Sequence, residues 1–160
     1  SIALKEGFLQ RNFQGYSTYA DCDLVAIGVS SIGKIGSTYS QNERDIDAYY
    51  AALDAGHLPI MRGYQLNQDD ILRRNIIQDL MCRFSLDYQI YESVFGIPFS
   101  RYFAAELEDM KQLETLGLVR LKPHSLTVTP KGRFLIRNIA MVFDYHLRHK
   151  ETKAKYSQTV

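Results

Sequence analysis

A change of periodicity near residue 60 constrains this chain more than any other feature. Before it, short apolar runs alternate with small-residue loops, a pattern that reads strand, loop, strand, helix. After it, apolar residues recur at three- and four-residue spacing behind capping residues, the pattern of amphipathic helices. A chain of 160 residues can hold one ordinary domain or two small ones and still bury a core. The expected division is residues 1–60 and residues 61–160, and the expected class is α+β.

In the first part, residues 8–19 are rich in aromatic side chains and read as extended, interrupted at Gly15. Leu24-Val25-Ala26-Ile27 is apolar without alternation, which predicts a strand covered on both faces, as in a parallel sheet. It runs into a small-residue loop, Gly28 to Gly33, and residues 37–40 offer a second short strand. A helix follows, with Asn42 as its cap, Ile46, Tyr49, Tyr50 and Leu53 as its apolar face, and Gly56 as its stop.

In the second part, Asn67 caps a helix with Asp69 and Asp70 in its first turn, where carboxylates favour the helix dipole. Leu72, Ile76 and Leu80, then Ile77, Met81 and Phe84, form its inward stripe. Asp87 caps a second helix carrying Ile90, Tyr91, Val94 and Phe95, closed by Gly96. A third starts at Ser100, buries Phe103, Leu107, Met110 and Leu113, and ends at Gly117. Residues 118–129 predict a hairpin about Lys122-Pro123-His124-Ser125. Thr129-Pro130 then opens a long helix whose stripe is Leu135, Ile136, Ile139, Val142, Phe143 and Leu147. Three helices, a hairpin and a helix is a winged-helix-like order.

Charge narrows the function classes. The formal net charge is +1, too flat for a wholesale electrostatic grip on nucleic acid or an anionic membrane. Residues 117–160 carry 9 of the 19 basic residues, so the base gathers at the C-terminal end. The helix that would read DNA, residues 100–116, holds Glu106, Glu108, Asp109 and Glu114 against Arg101 and Lys111, the wrong sign for a groove. No apolar run has bilayer length, the N-terminus lacks a signal-peptide pattern, and Cys22 and Cys82 lie far apart. These features fit a reducing, cytoplasmic setting without a disulfide framework.

Motif by motif, little catalytic chemistry is visible. Gly33-Lys34-Ile35-Gly36-Ser37-Thr38 has the composition of a phosphate loop but fails its spacing. His146 and His149 are two potential ligands where a metal site needs three or four, and they read as a surface helix end. Asp21 and Asp23 flank Cys22 without a base or nucleophile beside them, which makes loop solvation the better use. The loop after Ile27 stands where ligands meet strand ends in α/β sheets, and its backbone could read an adenine or sugar edge, although on pattern alone a tight turn is the better reading. Arg11 in Arg11-Asn12-Phe13-Gln14-Gly15-Tyr16 could clamp a carboxylate, or the stretch could be an edge strand.

Three stretches together resemble one known family: residues 11–18, residues 23–32 and Lys131-Gly132-Arg133-Phe134-Leu135-Ile136-Arg137-Asn138-Ile139. The likeness, over essentially the whole chain, is to the C-terminal part of the oxygen-independent coproporphyrinogen III oxidases, which are radical S-adenosylmethionine (SAM) enzymes of haem biosynthesis. The resemblance implies an oxidoreductase. In that family a 4Fe–4S cluster on C-x-x-x-C-x-x-C, in a partial β/α barrel, cleaves SAM. The resulting radical removes hydrogen from two propionates of coproporphyrinogen III, which become vinyls with loss of carbon dioxide, giving protoporphyrinogen IX. Such chemistry belongs to the cofactors, which the protein positions and shields.

No C-x-x-x-C-x-x-C occurs in this chain. The resemblance therefore implies that the barrel's cluster and SAM loops lie upstream of Ser1. Residues 1–60 would be the late-barrel segment and residues 61–160 the helical domain. The chain alone would bind no cluster, hold no metal and catalyse nothing. By position, Ile32 matches a residue beside bound SAM and Gly28 opens the loop forming that wall, while Arg11, Asn12 and Gln14 match a stretch facing the active site. Ser31 and Gly33 depart from the usual Ala and Ser but keep the loop small. The exposed N-terminal segment could pair with a second copy. A winged-helix DNA-binding module and a relative with a haem-binding role are the alternatives.

Overall fold

The computed structural model describes residues 10–12, 15–17 and 22–149. Its contacts separate the chain into two units, Ser1–Ile71 and Leu72–Val160. In the first unit, β1 (Gln10–Asn12) and β2 (Gly15–Ser17) form an antiparallel ribbon. β3 (Ile32–Ile35) and β4 (Thr38–Asn42) form a hairpin about Gly36-Ser37, with Gly36 at φ +56°. Left-handed backbone suits glycine in so short a turn. After α1 (Ile46–Asp54), β5 (Ile60–Gln65) returns on the far side of β4, so the sheet order is β3-β4-β5.

Several expectations are corrected here. Leu24–Ile27 is not a doubly covered parallel strand. It makes one antiparallel bridge, Leu24 to Lys34, and leaves Val25 68% and Ile27 83% exposed. Every strand pairing among the described residues is antiparallel. The two-residue connections of β1 to β2 and of β3 to β4 permit nothing else, since a parallel crossover needs a dozen or more residues. The loop that begins at Gly28 ends at Ser31, because Ile32 and Gly33 already pair with Gln41 and Ser40. The cap of α1 is Asp45, whose side chain accepts from the Ala48 amide at 3.0 Å, and Asn42 instead ends β4. The apolar face read on α1 faces outward, with Ile46, Tyr50 and Leu53 all exposed. A strand begins at Ile60, where the pattern had suggested a break, and it lies with the first unit.

The second unit follows its periodicity more closely. The Asn67 side chain accepts from the Asp70 amide and the Asp70 carboxylate accepts from the Asn67 amide, a reciprocal cap for α2 (Gln68–Arg83). Leu72, Ile76 and Leu80 are buried as expected. β6 (Ser85–Asp87), a strand too short to show alternation, pairs with β8 (Ser125–Val128), and β8 pairs with β7 (Val119–Lys122). Asp87 caps α3 (Tyr88–Phe95) and Gly96 closes it at φ +66°. Half of the stripe expected on α3 is wrong. Ile90 and Val94 are exposed, because Tyr88 and Tyr91 face the core, stacked or tilted against Phe99.

The third expected helix is two, α4 (Phe99–Tyr102) and α5 (Ala104–Thr115). The break falls at Phe103, which is fully buried between the rings of Phe99 and Phe143. The long last helix is also broken, into a tight turn (Gly132–Leu135), α6 (Ile136–Met141) and α7 (Tyr145–Arg148). Gly132 packs so closely on the Leu118 carbonyl that no Cβ fits, and Asp144 caps α7 anew. Ile139 and Phe143 are buried as the stripe predicted, whereas Leu135 is not.

Candidate functional site

The loop from Ala26 to Ser31 is held by side chains from β4 and α1. Asn42, only 4% exposed, donates its amide to the Gly28 carbonyl at 2.9 Å and to the Ala26 carbonyl at 3.4 Å. The Gly28 N–H donates to the Tyr49 hydroxyl at 3.1 Å. Gln41 donates to the Ser30 carbonyl at 3.2 Å, and the Ser31 hydroxyl donates to the Ile27 carbonyl at 2.7 Å. The Ser31 carbonyl accepts the Asn42 amide at 2.9 Å. Gly28 at φ +99° and Ser30 at φ +60° give the loop the left-handed turns that this wrapping needs. Gly33 lies against the Leu24 carbonyl, Ser40 and Ala26, so a larger residue there would push the hairpin off the loop.

The consequence for binding is specific. The carbonyls of residues 26, 27, 28, 30 and 31 are already engaged within the protein. Beside these engaged carbonyls the loop offers a ligand apolar surface: the half-buried Ile32 at the head of β3 and the exposed Ile27 and Val25. Sequence reasoning missed Asn42 as the clamp. Its place, just before a helical pattern, is also where a cap would stand.

The other candidate residues are placed as follows. Arg11 and Asn12 lie in β1, opposite Tyr16 and Gly15, and that ribbon is separate from the sheet carrying Ile32. Gln14 and Asp21 lie outside the described residues. Asp23 accepts from the Gly36 amide at 2.8 Å, a structural use. Gly33 to Thr38 is the β3–β4 hairpin. His149 Nδ1 is 2.9 Å from the Tyr145 carbonyl, and among the described residues no group of three or more His, Cys, Asp or Glu side chains is arranged to hold a metal. No helix among them is long and apolar enough to cross a membrane.

Several charges of the second unit are paired, while among the described residues Arg74 Nη1 is buried without a hydrogen-bond partner. Arg73 pairs with buried Glu106 at 2.8 Å and donates to the Phe143 carbonyl at 3.2 Å. Lys111 pairs with Glu108 and Arg148 with Asp109. Burial pushes the Tyr88 phenol up to about 12, with Glu114 adding to the shift. Tyr91 is raised further by burial and by its hydrogen bond to Asp79. In the first unit Tyr64 is raised by its hydrogen bond to Asp70. None of these phenols is poised for acid–base work near neutral pH.

Comparison with known proteins gives this geometry its setting. Residues 66–135 match the family model described as the HemN C-terminal domain. The oxygen-independent coproporphyrinogen III oxidase of Pseudomonas aeruginosa is 48% identical over 145 residues, covering 91% of this chain and 32% of that protein. The enzyme of the same name from Escherichia coli K12 is 42% identical over 160 residues, covering 100% of this chain and 35% of that protein. A solved structure, titled as coproporphyrinogen III oxidase (HemN) from Escherichia coli, a radical SAM enzyme, superposes with TM-score 0.87 at 43% identity, covering 91% of this chain and 33% of that one. The chain thus spans about a third of the length of these relatives. In sequence and in fold, this chain is similar to the C-terminal part of oxygen-independent coproporphyrinogen III oxidase.

Proposed function

We propose that the chain serves as the C-terminal part of a cytoplasmic radical SAM oxidoreductase that converts two propionates of coproporphyrinogen III to vinyls. The observation that carries this reading is the superposition over nearly the whole chain on the enzyme so named. When bound, SAM and a 4Fe–4S cluster would supply the hydrogen-abstraction chemistry. The cluster's three thiolates would have to come from elsewhere, since Cys22 is exposed, Cys82 is buried, and the two lie in different units.

This chain's own residues would shape one wall of the site. The Gly28–Ser31 turn, fixed by Asn42 and Tyr49, would present Ile32 to the adenosyl group and keep water from that side. An apolar contact suits this role, because five of the loop's carbonyls already accept a hydrogen bond within the protein. Arg11, with Asn12 and Gln14, would face the substrate and pair with a propionate. The second unit supports a winged-helix-like reading from the order of α2, α3, α5, the β7–β8 hairpin and α6. Its acidic α5, with Lys111 and Arg148 engaged by Glu108 and Asp109, favours a protein-packing role over a DNA-reading one.

Ile32→Asp in the full-length enzyme tests the SAM wall. Burying even a neutral polar group without a partner costs roughly 2–7 kcal/mol, and an ionised carboxylate costs more, so SAM affinity and turnover should both fall sharply while the protein still folds. Near-normal SAM binding would leave Ile32 as a packing residue of the hairpin. Arg11→Ala should weaken coproporphyrinogen affinity more than SAM affinity. An unchanged substrate affinity would make Arg11 an edge-strand residue.

A further inference from the structure

Ile32, Gln41 and Arg62 stand directly opposite one another on β3, β4 and β5. Directly paired residues project to one face of a sheet, so the three form a row. Gln41 joins its members. Its amide nitrogen donates to the Ser30 carbonyl, and its Oε1 accepts from Arg62 Nε at 2.9 Å and Arg62 Nη2 at 2.6 Å. The same oxygen accepts from Arg44 Nη2 at 3.4 Å. Two guanidinium groups therefore converge on one neutral oxygen, and among the described residues no carboxylate pairs with either of them.

Arg44 and Arg62 are both exposed and repel one another only weakly in water, but a planar guanidinium has five N–H donors in a fork that matches a carboxylate. Gln41 uses few of those donors. We propose that Arg44 and Arg62, oriented by Gln41, form a carboxylate-binding site beside Ile32. Strand spacing of about 4.8 Å puts Arg62 two strands, or about 10 Å, from Ile32. A ligand whose apolar part rests on Ile32 reaches the pair with a carboxylate on a short arm. The inference deepens the function proposed above and rests on it for the identity of the ligand. Both molecules named there carry the chemistry: SAM has an α-carboxylate, and coproporphyrinogen III has propionates.

The test is Arg62→Gln, Arg44→Gln and the conservative Arg62→Lys in the full-length enzyme. SAM dissociation is measured by calorimetry, binding of coproporphyrin III (the stable oxidised tetracarboxylate) by fluorescence, and folding by thermal melts. Arg62→Gln should weaken one ligand at least tenfold, Arg44→Gln should weaken the same ligand, and Arg62→Lys should recover only part, because an ammonium lacks the fork. Loss confined to SAM names the amino-acid carboxylate. Loss confined to coproporphyrin names a propionate. Unchanged binding of both ligands in folded variants overturns the site. These binding readouts do not depend on turnover, so an enzyme that fails to make protoporphyrinogen but still loses one ligand on Arg62→Gln refutes the activity and keeps the site.

Discussion

Arg73→Met removes the cation from a buried cluster and has a calculable cost. The Arg73 and Glu106 side chains are 11% and 6% exposed and 2.8 Å apart. Removing the guanidinium leaves the Glu106 carboxylate in place without its counter-charge, a change worth about 3–5 kcal/mol. The Phe143 carbonyl loses a donor, and the rings of Phe103 and Tyr145, 5.1 and 5.4 Å from the guanidinium carbon, lose a cation. For a unit the size of Leu72–Val160, each kcal/mol moves Tm by about 4–8 °C. A drop of about 12 °C or more in the melting of the second unit is expected. Pairing Arg73→Met with Glu106→Leu removes both charges and should recover most of it, since an apolar pair of similar volume is often no less stable. Thermal denaturation and urea titration of the two single variants and the double variant complete the cycle. A single-variant cost below about 1 kcal/mol, or a double variant as unstable as Arg73→Met, would refute the assignment of this pair as a buried, mutually dependent unit.

Tyr88 gives a pH prediction. Its phenol is raised from 10 to about 12 in the folded protein. Below pH 10 it is neutral whether the chain is folded or not, and the stability it contributes is intact. Between pH 10 and about 12 the unfolded chain ionises while the folded chain resists, so stability falls as pH rises. Melting temperature across that window, with tyrosinate absorbance as the second probe, should show the loss, and Tyr88→Phe should reduce it, the raised Tyr91 phenol supplying part of what remains. Gly132→Ala drives a methyl group into the Leu118 backbone and the Val128 side chain. It should cost about 1–3 kcal/mol or more, read by urea titration, and a neutral effect would mean that the turn shifts freely.

The parts of the fold that were legible in the sequence are those set by neighbours in the chain. Asn67 and Asp87 cap helices because a carboxylate or amide two or three residues before an amide can reach it in any context. Gly96 and Gly117 close helices at positive φ because glycine bears that backbone without strain. What local pattern could not show is set by distant partners. Leu24–Ile27 looks like a covered strand, yet one bridge is its whole pairing among the described residues. β5 and β6 carry weak alternation and exist because β4 and β8 supply their hydrogen bonds. Phe103 breaks a helix because of rings brought from Phe99 and Phe143.

The site divides in the same way. Gly28 and Ile32 were visible as a loop and its end, through their resemblance to a family. Asn42 was visible as a polar residue before a helix but not as the clamp on the Gly28 carbonyl 14 residues away. The convergence of Arg44 and Arg62 on Gln41 was invisible, because it needs the β4–β5 register, which joins residues 21 apart.

The most direct test of the central claim is anaerobic turnover by the full-length protein that carries this chain as its C-terminal part. With SAM and a reductant, coproporphyrinogen III should be consumed and protoporphyrinogen IX should appear with two carbon dioxide molecules released for each, and Ile32→Asp should abolish the conversion. SAM cleavage without any loss of propionate carboxyl groups would contradict the account and assign this chain to an enzyme with another task.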